Sequence, residues 1–149
     1  MYETILVPLD RSKRAEAILP HVEQLTRLCG ARVILLQVVD PPACMEVPEE
    51  GDMTLHQRQL ERLAQRAQDY VGGLEDGFRE KGIRARKCIV HGPVVEAILN
   101  TADREKADLI AMSSHGRSGL AQVFYGSVAA GVLHRIDRPL LLIRSREGE

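Results

Sequence analysis

Aromatic residues are scarce in this sequence of 149 residues: they make up 3% of it, and tryptophan is absent. Proteins that bind single-stranded nucleic acid stack the bases on aromatic rings, and nucleic-acid-binding domains in general carry clustered basic charge. Here the net charge is −1, and no basic block stands out. We therefore expect no nucleic-acid partner.

Cysteine and long apolar runs are lacking as well. Cys29, Cys44 and Cys88 are widely spaced without a CxxC pair, so neither a disulfide framework nor a zinc site is indicated. No apolar run approaches the roughly 20 residues that cross a bilayer. The first ten residues, MYETILVPLD, contain acids and a proline instead of the basic start of a secretion signal. We expect a cytoplasmic protein with reduced thiols and no membrane contact.

Apolar residues make up 44% of the chain and charged residues 28%, which is typical of a globular protein. A chain of 149 residues has the usual size of one domain. We expect a single domain over residues 1–149, with one site.

Short, almost continuously apolar segments alternate with segments of helical periodicity. Such apolar segments are typical of strands buried on both faces of a parallel sheet. The order βαβαβαβαβ predicts a doubly wound α/β fold of five parallel strands with helices on both faces. The predicted strands are Ile5–Leu9, Val33–Val39, Ala85–Val90, Leu109–Met112 and Leu140–Ile143.

The capping residues place two of the helices. Ser12 is suited to begin the first helix and Gly30 to end it, with a bend expected at Pro20. The third helix is expected after Gly92, with Pro93 in its first turn.

The second helix is predicted from an apolar stripe over residues 60–78, which Gly72 and Gly73 interrupt at its surface. The last helix is expected to begin at about Ser127 and to stop before Pro139. Between the second strand and second helix, residues 40–52 read DPPACMEVPEEGD. This segment is predicted to be a surface loop, either a solvated connection or a lid over a site.

Ligands of such sheets bind outside the carboxyl ends of the strands, where neighbouring connections leave for opposite faces. With strand order 3-2-1-4-5, strands one and four meet there. The first strand ends at Pro8, Leu9 and Asp10, and the fourth leads into the segment SSHGRSGLAQVFYGS, residues 113–127. Asp10 can accept hydrogen bonds from ribose hydroxyls or an exocyclic amine, or it can simply cap the next helix.

The glycine-rich segment has features of a phosphate-binding loop. Glycines let backbone N–H groups approach a phosphate, and the helix that opens at Gly126 and Ser127 has unsatisfied N–H groups. Arg117 adds a cation, and Ser114 adds a hydroxyl donor. The segment has no GxxxxGK[ST] pattern, so hydrolysis is not indicated. The alternative is that these are ordinary turn glycines.

Five segments together resemble the universal stress protein family over almost the whole chain. Nucleotide-binding members carry a glycine, two residues, a second glycine, nine residues, and then glycine with Ser or Thr. Gly116 matches the second glycine, and Gly126 with Ser127 matches the last pair. At the first position this chain has Ser113. The segments are VPLD, ILLQVVD, VHGPVVEAIL, ADLIAMSSHGRSGL and GSVAAGVLHRIDRPLLLIR.

The resemblance implies a stress-related protein that binds ATP, alone or with Mg²⁺, and forms a homodimer through its last strand. Enzymatic activity is not expected beyond slow ATP hydrolysis. The first strand and Val38 would contact the nucleoside, and the later residues would contact ribose and phosphates. The residues implied are Pro8, Leu9, Asp10, Val38, Met112, Ser113, Gly116, Arg117, Gly126, Ser127 and Val128.

Two alternatives stay open. The chain can be a nucleotide-free interaction module of the same fold, in which Ser113 marks a lost site. It can also be a phosphoacceptor receiver domain, but this requires an acceptor Asp at the end of strand three, where the sequence reads Ile89, Val90 and His91. Nucleotide binding separates the first alternative from the ATP-binding prediction.

Overall fold

The computed structural model of the protein describes residues 1–40, 53–114 and 126–145. These residues form five strands and five helices in alternating order, with two helices between the first two strands. The elements are β1 (Thr4–Leu9), α1 (Lys13–Glu16), α2 (Leu19–Cys29), β2 (Arg32–Val39), α3 (Met53–Glu80), β3 (Ala85–His91), α4 (Val94–Arg104), β4 (Leu109–Ser113), α5 (Ser127–Arg135) and β5 (Leu140–Ile143).

The strands form one parallel sheet in the order β3-β2-β1-β4-β5. In the middle of the sheet, Leu6 of β1 is paired with Ile34 of β2 on one side and with Ile110 of β4 on the other. The predicted fold class and strand order are confirmed. Strands β1 and β4 are neighbours, so the carboxyl ends of these two strands lie side by side.

Helices cover both faces of the sheet because successive strand residues point to opposite faces. Val7 and Leu35 pack in a cluster with residues of α2 and α3. Leu6, Leu36 and Met112 pack in a second cluster with residues of α4 and α5. Burial of each such aliphatic side chain contributes about 1.5–3 kcal/mol. These two clusters hold the strand ends in fixed positions.

The prediction of one bent helix after β1 is wrong, since two helices stand there. Ser12 begins α1 as expected, and its Oγ accepts the N–H of Ala15 at 3.0 Å. Helix α1 ends at Glu16, and α2 begins at Leu19 with Pro20 in its first turn. A proline ring collides with the carbonyl four residues earlier, here that of Glu16, so the helix is interrupted and not merely bent.

The remaining helix ends differ little from expectation. Gly30 ends α2 in the left-handed conformation, with φ of 69°. Pro93 is the N-cap of α4, with ψ of 133°, and not a first-turn residue as predicted. Helix α3 continues through Gly72 and Gly73. Of the predicted loop over 40–52, all but Asp40 lies outside the described residues. No helix in the described ranges is long and apolar enough to cross a membrane.

Candidate functional site

A cavity of about 320 Å³ opens at the carboxyl ends of β1, β2 and β4, beside the first turns of α4 and α5. Ligands of open α/β sheets bind at this place, where neighbouring connections leave for opposite faces. We call it the carboxyl-end cavity. The described residues that line it are Pro8, Leu9, Asp10, Ala15, Leu36, Val38, Val94, Ile98, Met112, Ser113, Ser114, Gly126, Ser127, Val128 and Ala129.

Every predicted site residue that the structure describes lines this cavity. Gly116 and Arg117 lie outside the described residues. The binding of a nucleotide by these residues stays a prediction. Six further residues line the cavity: Ala15, Leu36, Val94, Ile98, Ser114 and Ala129. Of these, the sequence indicated only Ser114, as a hydroxyl donor.

The cavity has apolar walls and a polar end. Leu36, Val38 and Met112 from the sheet, with Val94 and Ile98 from α4, form the apolar walls. The polar side chains are those of Asp10, Ser113, Ser114 and Ser127. This division suits a ligand with a flat apolar part and a polar or charged part.

Asp10 binds the backbone at the start of α1, and it also lines the cavity. Its Oδ1 accepts the backbone N–H of Ser12 at 2.9 Å, which fixes the turn into α1. The same side chain lines the cavity. A carboxylate has two acceptor oxygens, and the contact with Ser12 engages only Oδ1. Asp10 can therefore hold the turn and accept a ligand donor.

The two serines at the end of β4 differ in their hydrogen bonding. The buried Ser113 hydroxyl donates to the backbone oxygen of Ala15 at 3.3 Å. Ser114 is only 2% exposed, and its Oγ has no hydrogen-bond partner among the described residues. Buried hydroxyls normally have a partner. The Ser114 hydroxyl is thus a donor and acceptor at the cavity that no other described residue binds.

Gly126 makes a close approach that no other residue type allows. Its φ is 64°, and a Cβ atom at this position would lie 2.8 Å from the Ser114 carbonyl oxygen. Helix α5 begins at the next residue. The first backbone acceptor of this helix is the Gly126 oxygen, which Ala130 N–H contacts at 3.0 Å. The N–H groups of Ser127, Val128 and Ala129 therefore have no acceptor within the helix.

The hydroxyl oxygen of Tyr70 is buried, although the residue as a whole is only partly buried. Burial raises the pKa of Tyr70, and the negative charges of Glu16 and Asp10 raise it further. Among the described residues, no three His, Cys, Asp or Glu side chains are grouped so that they could hold a metal ion.

The described residues form a doubly wound α/β fold with a cavity at the carboxyl ends of β1 and β4. The model of the Universal stress protein family matches residues 1–144. The chain therefore belongs to the universal stress protein family.

The universal stress protein MJ0577 of Methanocaldococcus jannaschii is 28% identical over 160 residues, which cover 98% of this chain and 97% of that one. Its solved structure, described as that of a hypothetical protein, has a TM-score of 0.87 and covers 99% of both chains. Similarity at this level extends over the whole fold.

Two other solved universal stress proteins contain nucleotides. One, in complex with cAMP, is 23% identical with a TM-score of 0.62, over 97% of this chain and 98% of that one. The other, from Archaeoglobus fulgidus in complex with dAMP, is 20% identical with a TM-score of 0.61, over 95% and 98%. At this level of sequence identity the comparison shows a shared fold. The bound cAMP and dAMP are features of those two proteins.

Proposed function

We propose that this chain, as a single universal stress protein domain over residues 1–149, is a cytoplasmic protein that binds ATP in the carboxyl-end cavity and acts in stress signalling or survival. The observation that supports this most is the arrangement at the polar end of the cavity. The buried Ser114 hydroxyl has no partner among the described residues, and its carbonyl lies against Gly126, where α5 begins.

The apolar walls are suited to the adenine ring. Leu36 and Ile98 are fully or almost fully buried, so the shape of this part of the cavity is fixed by the core. Asp10 would accept hydrogen bonds from the ribose hydroxyls or from the exocyclic amine. The neighbouring Pro8, Leu9 and Val38 would contribute apolar surface to the nucleoside.

The polar end is suited to the phosphates. The first turn of α5 offers backbone N–H groups and the positive end of the helix dipole, which together bind anions. The hydroxyls of Ser114 and Ser127 would donate to phosphate oxygens, with Val128 contributing its N–H group. Met112 and Ser113 would lie by the ribose, and Gly116 and Arg117 would complete the phosphate site.

No residue is assigned a catalytic role. Phosphate oxygens bind Mg²⁺ readily, so Mg²⁺ would enter the site with ATP. The cAMP and dAMP complexes of two structural neighbours support an adenine nucleotide as the ligand class. The choice of ATP among adenine nucleotides comes from the family motif.

We further propose that the protein is a homodimer joined through β5. This strand is at one edge of the sheet, and its sequence is LLLI. An uncovered apolar edge tends to pair with another strand. Antiparallel pairing of β5 with its copy would cover both edges.

The bound ligand can be identified directly. The protein is purified under native conditions and denatured, and the released small molecules are compared with nucleotide standards by chromatography. The Gly126→Ala variant, prepared in parallel, controls for nucleotide carried over from the cells. We expect an adenine nucleotide from the wild type alone. No released nucleotide, together with no thermal shift at millimolar ATP, would support the nucleotide-free interaction module instead.

A further inference from the structure

A second cavity, of about 420 Å³, lies at the opposite end of the sheet, beside the first residues of β2 and β3. Four arginines line it: Arg32, Arg79, Arg84 and Arg86. The other described lining residues are aliphatic or glycine, and none is acidic. We call this cavity the arginine groove.

Two of these guanidinium groups, those of Arg32 and Arg84, contact only neutral oxygen atoms among the described residues. Arg32 donates from Nε to Thr4 Oγ1 at 2.9 Å and from Nη2 to the backbone oxygen of Glu105 at 3.0 Å. Arg84 donates to the backbone oxygen of Gly30 at 2.8 Å. Gly30 and Glu105 are the C-caps of α2 and α4. These contacts hold both side chains in place without a carboxylate.

Only part of the positive charge in the groove is balanced nearby. Arg79 lies 3.7 Å from the Glu75 carboxylate, and Arg86 is paired with the Glu105 carboxylate. For Arg32 and Arg84, the nearby helix C-termini supply about half a negative charge each. The Asp108 carboxylate lies close to Arg32, since it accepts the N–H of Thr4, whose Oγ1 accepts from Arg32. Arg84 has no carboxylate partner among the described residues, so its positive charge, which is permanent, is offset only by the end of α2.

Hydrogen-bond donors also remain. A guanidinium has five N–H donors, of which Arg32 uses two and Arg84 one in these contacts. Fixed guanidinium groups with spare donors and unbalanced charge match the oxygens of a phosphate group. We propose that the arginine groove binds the phosphate groups of a small ligand, either inorganic di- or triphosphate or a nucleotide. This site does not depend on nucleotide binding in the carboxyl-end cavity.

Inorganic tripolyphosphate is the probe for this site. In amide NMR spectra of the full chain at low salt, we expect it to shift the signals of Gly82–Arg86. In the Gly126→Ala background, calorimetry should give one tripolyphosphate per chain, with affinity about tenfold lower after Arg84→Gln. The matched control is Arg66→Gln, which removes the same charge from an exposed position on α3 and should change nothing.

Two further experiments identify the kind of phosphate ligand and cover the case in which Arg84→Gln does not fold. In the Gly126→Ala background, the affinities for ATP and for tripolyphosphate are compared. Equal affinities support a site that recognises phosphates alone. A higher affinity for ATP supports a nucleotide as the ligand. Arg84→Lys, which keeps the charge without the planar fork, should weaken binding less and serves if Arg84→Gln does not fold. The proposal fails if Arg84→Gln and Arg66→Gln weaken binding equally, if Gly82–Arg86 do not shift, or if a poly-glutamate peptide binds more tightly than tripolyphosphate.

Discussion

The hydroxyl of Ser113, at the end of β4, donates a hydrogen bond to the backbone oxygen of Ala15 in α1, 98 residues away in the sequence. Successive strand residues point to opposite faces. Met112 packs on the α4 and α5 face, so the Ser113 side chain extends to the other face, toward α1. The serine that we predict to stand in place of the first motif glycine is thereby accommodated, with its polar group bound within the protein.

This contact predicts that Ser113 affects stability more than ligand binding. Ser113→Ala should lower the free energy of unfolding by about 0.5–1.5 kcal/mol, because one buried hydrogen bond is lost. The effect should be modest because the Ala15 oxygen keeps the N–H of Ile18, 3.4 Å away. Urea unfolding measures this change.

The Ser113→Gly variant restores the glycine of the motif and tests the same contact from the ligand side. We expect ATP affinity within about threefold of wild type by calorimetry, which corresponds to less than about 1 kcal/mol. A gain of tenfold or more would show that the serine side chain obstructs the nucleotide.

Gly126→Ala should abolish ATP binding. The new Cβ would lie 2.8 Å from the Ser114 oxygen at a φ of 64°, so the backbone that joins β4 to α5 must move. Gly77→Ala is the control, since a Cβ at Gly77 in α3 has no neighbouring atom within 4 Å. That change should raise stability by about 0.5–1 kcal/mol and leave binding intact. Equal ATP affinity in Gly126→Ala and wild type would contradict the proposed site.

Ser114→Ala should have opposite effects on binding and stability. The hydroxyl has no partner among the described residues, so its removal should leave the free energy of unfolding unchanged or slightly higher. A hydrogen bond to a charged group contributes about 1.5–3 kcal/mol, so ATP affinity should fall about tenfold or more. Calorimetry and thermal unfolding of the same preparation measure both. Reduced stability with unchanged affinity would assign Ser114 a structural role instead.

The free edge of β5 provides a test of the dimer. The oxygens of Pro139 and Ile143 accept the N–H groups of Ile110 in β4 and of Ser114 directly after it. Backbone groups alternate in direction along a strand, so those of Leu142 lie on the outer edge. Leu142→Pro removes an outward N–H and should yield monomers in size-exclusion chromatography with light scattering. Leu142→Ala shortens the same side chain but keeps the N–H, and should remain dimeric. A monomeric wild type, or a dimeric Leu142→Pro, would place any dimer interface elsewhere.

Much of the fold was predictable because buried strands are continuously apolar, the helices between them have apolar stripes, and Ser12 and Gly30 mark two helix ends. The interruption between α1 and α2 was missed because Pro20 was treated as a bend, although its ring excludes the Glu16 carbonyl from a continuous helix. The glycine-rich segment and the strand order together predicted that Asp10 and Gly126 lie near each other, and both line one cavity.

Other parts of the site carry little signal in the sequence. Leu36 and Ile98 look like ordinary core residues, and only the packing of α4 against the sheet makes them cavity walls. The partner of Ser113 is a backbone oxygen, and any residue type at position 15 would supply it. The sequence indicates Ser114 as a hydroxyl donor, but only the structure shows that this hydroxyl is buried without a partner among the described residues.

Calorimetric titration of ligand-free protein with ATP tests the central claim most directly. Nucleotide carried over from the cells is first removed by unfolding, washing and refolding, and circular dichroism confirms the fold. We predict saturable binding of one ATP per chain, lost in Gly126→Ala and retained in Gly77→Ala. The absence of any heat or thermal shift at millimolar ATP, in wild-type protein that has refolded, would contradict the account.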